Sequence, residues 1–123
     1  MIKDVLLVGL GGGIGSMLRF LTSRLSARFI SSSWALAGTF ITNIVGCFLI
    51  GLIAGWLLYN TGKSQTLPLL LVVGFCGGYT TFSAFAFENV QLLQSGHIFF
   101  SIIYITLSII VGLLAVWGGI KLG

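Results

Sequence analysis

Long uncharged, apolar stretches separated by short polar clusters dominate the chain. The charged residues are Lys3, Asp4, Arg19, Arg24, Arg28, Lys63, Glu88 and Lys121. Arg28 and Lys63 enclose 34 uncharged residues, Lys63 and Glu88 enclose 24, and Glu88 and Lys121 enclose 32. A bilayer core takes a helix of about 20 mostly apolar residues, so each gap predicts one membrane span. The stretch Val5–Leu18 has only 14 residues. It reaches the needed length if the helix continues past Arg19, which then lies in or close to the membrane. Four spans follow, over 4–26, 34–59, 67–94 and 98–119. Trp34 and Tyr59 bracket the second, as interfacial belts prefer, and Pro68 takes a tolerated first-turn position in the third. The connectors Ser31-Ser32-Ser33, Asn60 to Thr66 and Ser95-Gly96-His97 are short and polar. The runs are too long, and alternate too little, for a membrane β-barrel.

Composition sharpens this picture. Hydrophobic residues make up 57% of the 123 positions and charged residues 7%, against roughly 25% charged in a soluble domain. Mean hydropathy is +1.13. Eight charged side chains cannot clothe a water-facing surface, which excludes a soluble enzyme, a nucleic-acid binder and a disordered segment. The first span resembles a signal peptide only in Lys3 and the apolar run after it. Gly11-Gly12-Gly13 interrupts that run and Arg19 stands where a cleavage site would lie, so a retained span is expected. Cys47 and Cys76 fall inside spans and are expected to be reduced packing residues.

Orientation is less decided. Four spans put both termini on one side, with Lys3, Lys63 and Lys121. The other side holds Arg24 and Arg28, joined by Arg19 if it reaches out. Orientation follows the Lys/Arg excess of short loops, and three against two or three is almost no excess. Either one loop charge decides, or the chain inserts both ways and works as an antiparallel pair.

Inside the third span, Gly77-Gly78 and Thr80-Thr81 form a weak helical stretch near its middle. A break there is the favoured reading; a flexed, continuous helix with glycines for close packing is the alternative. Non-helical backbone at membrane depth survives only where protein or a water-filled cavity satisfies it. In an antiparallel pair, carbonyls freed at Gly77 and Thr80 would meet their symmetry mates and suit a hard cation.

Several polar groups sit where lipid would reject them. Asn43 either bonds a neighbouring helix or presents N–H to an anion. Ser101, Tyr104 and Ser108 share a face of the fourth span, which Gly112 extends; such hydroxyls line an ion path or join helices. Phe82 and Phe85 follow the weak stretch, and phenyl edges carry partial positive charge, though packing is the commoner use. Arg19 and Glu88 are costly at depth; they anchor helix ends, shape a vestibule, or pair. Gly9/Gly13, Gly11/Gly15 and Gly51/Gly55 have the four-residue spacing of closely packed membrane helices. These features together describe an all-α membrane protein that passes a small ion and is not an enzyme. No nucleotide loop, nucleophile constellation or metal-ligand cluster is legible.

Three segments carry a family resemblance: Gly12-Gly13-Ile14-Gly15-Ser16-Met17-Leu18-Arg19-Phe20, Gly38 to Phe48 around Thr42-Asn43, and Gly74-Phe75-Cys76-Gly77-Gly78-Tyr79-Thr80-Thr81-Phe82-Ser83-Ala84-Phe85. With the length and the four-span layout, they resemble the Fluc (CrcB) fluoride channels over essentially the whole chain. The resemblance implies a dual-topology homodimer in the inner (plasma) membrane of a prokaryote, its third helix broken at the midplane. It implies passive export of cytoplasmic fluoride, and so fluoride resistance. Asn43, Phe82, Ser83, Phe85, Tyr104 and Ser108 would line the fluoride pathway, with Arg19 and Glu88 at the pore entrance. A structural sodium ion would sit on the Gly77 and Thr80 carbonyls. Ala84, Gly112 and Thr42 depart from the family pattern, which bears on the detail of the polar track. Two other functions compete. A small multidrug-type exporter would need an acid deep in the first span, where Asp4 is only at the edge. A non-transporting accessory subunit would tolerate loss of Phe82 or Asn43.

Overall fold

A chain surrounded by hydrocarbon must satisfy its backbone within each segment, and a helix does so. The structure is a computed structural model that describes residues 1–30, 35–60, 62 and 64–123. The Ser31-Ser32-Ser33 connector, Trp34, the Tyr59 side chain, Thr61 and Lys63 lie outside the described residues.

Helix α1 spans Ile2–Phe29 and α2 spans Ala35–Tyr59. Helix α3 begins with π winding over Pro68–Cys76 and closes with an α turn, Gly77–Tyr79. Helix α4 covers Phe82–Gln94 and α5 covers Ile98–Leu122. The segments Ile2–Phe29, Leu36–Leu58, Pro68–Gln94 and Ile98–Leu122 are each long and apolar enough to cross a membrane. The last helix runs to Leu122 rather than ending at 119, and the Lys121 ammonium lies 5.7 Å from the centre of the Trp117 ring. A cation over an aromatic face makes a favourable helix-end anchor. Between α4 and α5, Gly96 takes φ +82, a left-handed conformation that favours glycine.

The third span is interrupted at Thr80 and Thr81. Both are extended, at φ −89, ψ 157 and φ −148, ψ 117. The helix passes through Gly77 and Gly78 and opens at the two threonines. The Thr81 hydroxyl then accepts the Ala84 N–H at 3.2 Å and starts α4, as an N-cap threonine does. Gly78 has a separate task. A Cβ there would strike the Gly12 carbonyl, so the glycine allows α1 and α3 to touch backbone to backbone. Close packing and interruption, alternatives on composition alone, are both present.

Two glycine-packed pairs build the molecule. In the first, Gly11 faces the Leu70 carbonyl and Gly15 the Phe75 carbonyl, joining α1 to α3. In the second, Gly51 faces the Val116 carbonyl and Gly55 the Ile120 carbonyl, joining α2 to α5. A Cβ at Gly9 or Gly13 would meet nothing within 4 Å among the described residues, so their equal spacing serves no close packing there. Gly15→Ala is therefore expected to lower the unfolding free energy by about 1–3 kcal/mol through overpacking. Gly13→Ala should raise it by up to about 1 kcal/mol through helix propensity alone. Thermal unfolding in detergent micelles checks the opposite signs.

The burial pattern is the reverse of a soluble protein's. Leu10, Met17, Phe20, Ile102 and Leu113 are exposed, while Thr39, Thr42, Glu88, Asn89 and Ser101 are buried. Lipid is the natural solvent for such a surface.

Candidate functional site

The interruption redirects backbone hydrogen bonds. In a continuous helix the Thr81 N–H would bond the Gly77 carbonyl and the Ala84 N–H the Thr80 carbonyl. Instead the Thr81 N–H donates to Asn43 Oδ1 at 2.8 Å, and the Ala84 N–H goes to the Thr81 hydroxyl. The carbonyls of Gly77 and Thr80 thus lose their helical donors. Asn43 answers in both directions, because its Nδ2 donates to the Thr81 carbonyl at 3.2 Å. One side chain of α2 thereby satisfies both polar groups of an extended residue. The second N–H of the amide takes no part in this clamp.

On the α1 side, the Gly78 carbonyl accepts from Arg19 Nε at 3.1 Å and from the Ser16 hydroxyl at 3.5 Å. The Thr80 hydroxyl donates to the Cys76 carbonyl at 2.9 Å, and the Thr80 methyl occupies the space beside Gly46.

Beyond the break, α4 and α5 carry a line of aromatic rings. The Phe82 and Phe85 centroids are 6.1 Å apart and tilted by 44°. Phe85 and Tyr104 are 5.1 Å apart at 64°, edge toward face. Tyr104 is fixed by its hydroxyl, which donates to Glu88 Oε1 at 3.0 Å, while the Thr39 hydroxyl donates to Glu88 Oε2 at 2.7 Å. Next to this cluster, the Ser101 hydroxyl donates to Asn89 Oδ1 at 2.9 Å, and Asn89 Nδ2 donates to the Phe85 carbonyl at 2.9 Å. One turn beyond Tyr104, the Ser108 oxygen is enclosed and has no hydrogen-bond partner among the described residues.

Residues 6–120 match the family described as CrcB-like protein, camphor resistance (CrcB). The chain belongs to the CrcB-like family. Its relatives include a protein named fluoride-specific ion channel FluC from Flavobacterium psychrophilum, 48% identical over 118 residues, covering 96% of this chain and 94% of that one. The FluC of Azobacteroides pseudotrichonymphae is 45% identical, covering 94% of this chain and 92% of its own. A Pseudomonas putida FluC is 39% identical over 99% and 98%. The family is one of ion channels, not enzymes, and this CrcB-like chain is a multi-pass membrane protein.

Within the CrcB-like chain, Phe82, Phe85, Tyr104 and Glu88 form one continuous group. Asn43 and Ser83 join it through Thr81, whose hydroxyl lies 3.3 Å from that of Ser83. Arg19 and Glu88 do not pair. Arg19 lies beside the interruption on the α1 side, and Glu88 is buried two turns along α4. Sequence reasoning passed over Thr39, Thr81 as a cap, and Asn89. Thr39 sits one turn before Asn43, and Asn89 one turn after Phe85, so helical spacing from a chosen residue would have found both.

Proposed function

We propose that this CrcB-like chain is a fluoride-selective channel that works as an antiparallel homodimer in the inner membrane of a prokaryote. The observation that carries the reading is the phenyl pair Phe82–Phe85, set directly after an interruption clamped by Asn43. The relatives' name, fluoride-specific ion channel, supports the identity of the ion.

The single chain supplies one wall of a pathway. Phe82 is 79% exposed, and Gly77 and Ser83 are exposed as well. Groups that serve an ion path should not face lipid, so a second copy covers them. Placed antiparallel, two copies share an axis in the membrane plane. Their interruptions, near residue 81 at the middle of Pro68–Gln94, then cross at mid-depth. Two pathways result, one beside each α4.

Fluoride passes the edges of Phe82 and Phe85, where the ring quadrupole is positive. The free N–H of Asn43 and the hydroxyls of Ser83, Tyr104 and Ser108 replace lost water. Glu88, held by Thr39 and Tyr104, sets the potential at the entrance end. Selectivity against chloride follows from a narrow path with few, well-aimed donors.

The carbonyls of Gly77 and Thr80 fit a structural sodium ion, since their helical donors are directed elsewhere and backbone oxygens suit a hard cation. Bound there, the ion would offset the partial charges where the two copies meet.

Transport is passive. Hydrogen fluoride enters membranes neutral and ionises in the cytoplasm. A negative interior then drives the anion outward at about 2.3 kcal/mol per charge per 100 mV, which confers fluoride resistance. Purified protein in liposomes is expected to release fluoride, read with a fluoride electrode, while chloride efflux stays near the protein-free baseline. Equal release of the two anions would overturn the reading.

A further inference from the structure

An interrupted helix ends with carbonyls that no longer have helical donors. How α1 meets that end is specific. Ser16, Arg19 and Thr22 recur at every third position along α1. Each reaches the closing turn of α3. Ser16 and Arg19 donate to the Gly78 carbonyl, and the Thr22 and Tyr79 hydroxyls are 3.0 Å apart. The Gly12–Gly78 backbone contact holds the two helices at this distance. Arg19 is only partly exposed. Its charge lies at the C-terminal end of a helix, where a cation is favoured.

We propose that Arg19 is a positioning residue for the ion path: its Nε–H on the Gly78 carbonyl fixes the last turn of α3, and with it the extended pair Thr80–Thr81 and the start of α4 at Phe82. The proposal rests on the channel reading above. It differs from an entrance role, in which Arg19 would act by its charge on an approaching anion.

A single atom separates the two roles. Glutamine carries its side-chain nitrogen at the same number of bonds from Cα as the arginine Nε. Arg19→Gln therefore keeps a donor for Gly78 and drops the charge. Arg19→Met keeps the side chain as far as that position and drops both.

The full-length protein is reconstituted in liposomes for fluoride efflux, and amide hydrogen exchange is followed at Thr80 and Thr81 in micelles. Arg19→Gln is expected to keep most of the efflux, falling by no more than about fivefold for the lost charge–dipole attraction. Arg19→Met is expected to lose at least about tenfold, as for a hydrogen bond from a charged donor. It should also speed exchange at Thr80 and Thr81, which Arg19→Gln leaves slow. Equal loss of efflux in both variants with unchanged exchange would overturn the proposal in favour of a charge at the entrance. Met behaving like the parent in both measurements would overturn it too. If Arg19→Met does not give a monodisperse protein, Arg19→Gln decides alone: retained efflux with slow exchange upholds the proposal, and loss of either overturns it. A parent protein that passes no fluoride would sink the channel reading, while the exchange comparison would still decide the role of Arg19.

Discussion

Asn43→Ala is expected to bring fluoride efflux down to the protein-free baseline and to loosen the protein at the same time. The substitution strips partners from the Thr81 N–H and the Thr81 carbonyl together. Each unsatisfied backbone group costs about 1–3 kcal/mol, so the unfolding free energy should fall by about 2–6 kcal/mol. No water is at hand in a bilayer to make up the difference. Asn43→Asp separates the two duties. It keeps an acceptor for the Thr81 N–H, so less stability is lost. It also removes both amide donors and places negative charge beside an anion path, so efflux should remain at baseline. Thermal unfolding in micelles and fluoride release from liposomes read the two effects separately. An alanine variant as stable and as conductive as the parent would remove the clamp from the account.

Phe82→Ile should give the opposite profile, a channel defect with no folding defect. The ring is 79% exposed in the single chain, so its loss should change chain stability by no more than about 0.5 kcal/mol. Isoleucine preserves apolar bulk but has no positively polarised edge. If the ring edge holds the anion about as strongly as it holds another ring, roughly 0.5–1.5 kcal/mol, its loss at the barrier corresponds to an efflux reduction of up to about tenfold. Phe87 is the control on the same helix. It is 65% exposed and belongs to no contact of the pathway, so Phe87→Ile should conduct like the parent. Equal efflux from the two variants would show that the ring at position 82 is ordinary packing.

These expectations depend on features that were unequally visible beforehand. The four spans could be read from the distances between charges, because hydrocarbon thickness sets a minimum length that composition must honour. The weak stretch was visible in Gly77-Gly78 and Thr80-Thr81. Which pair opens was not, because Gly78 packs in helix against Gly12, 66 positions earlier in the chain. The π winding of Pro68–Cys76 leaves no mark in residue type, since it changes which carbonyl each N–H reaches and not the preference for apolar side chains. Asn43 and Glu88 were recognisable as misplaced in lipid. Their partners were not, being 38 positions away for Thr81 and 49 for Thr39. Polarity at depth announces a bond; only the folded chain says to what. The Gly9/Gly13 spacing equals that of Gly11/Gly15, yet only the second pair faces a neighbour among the described residues, since a small-residue pattern does not reveal which face is packed.

The reach of Arg19 to the Gly78 carbonyl has a consequence for biogenesis. The arginine leaves the ribosome 59 residues ahead of its acceptor. While α2 is being made, the guanidinium has no carbonyl to rest on and must stay hydrated at the lipid boundary. The bond from Arg19 to the Gly78 carbonyl therefore closes only after α3 has been made, late in synthesis.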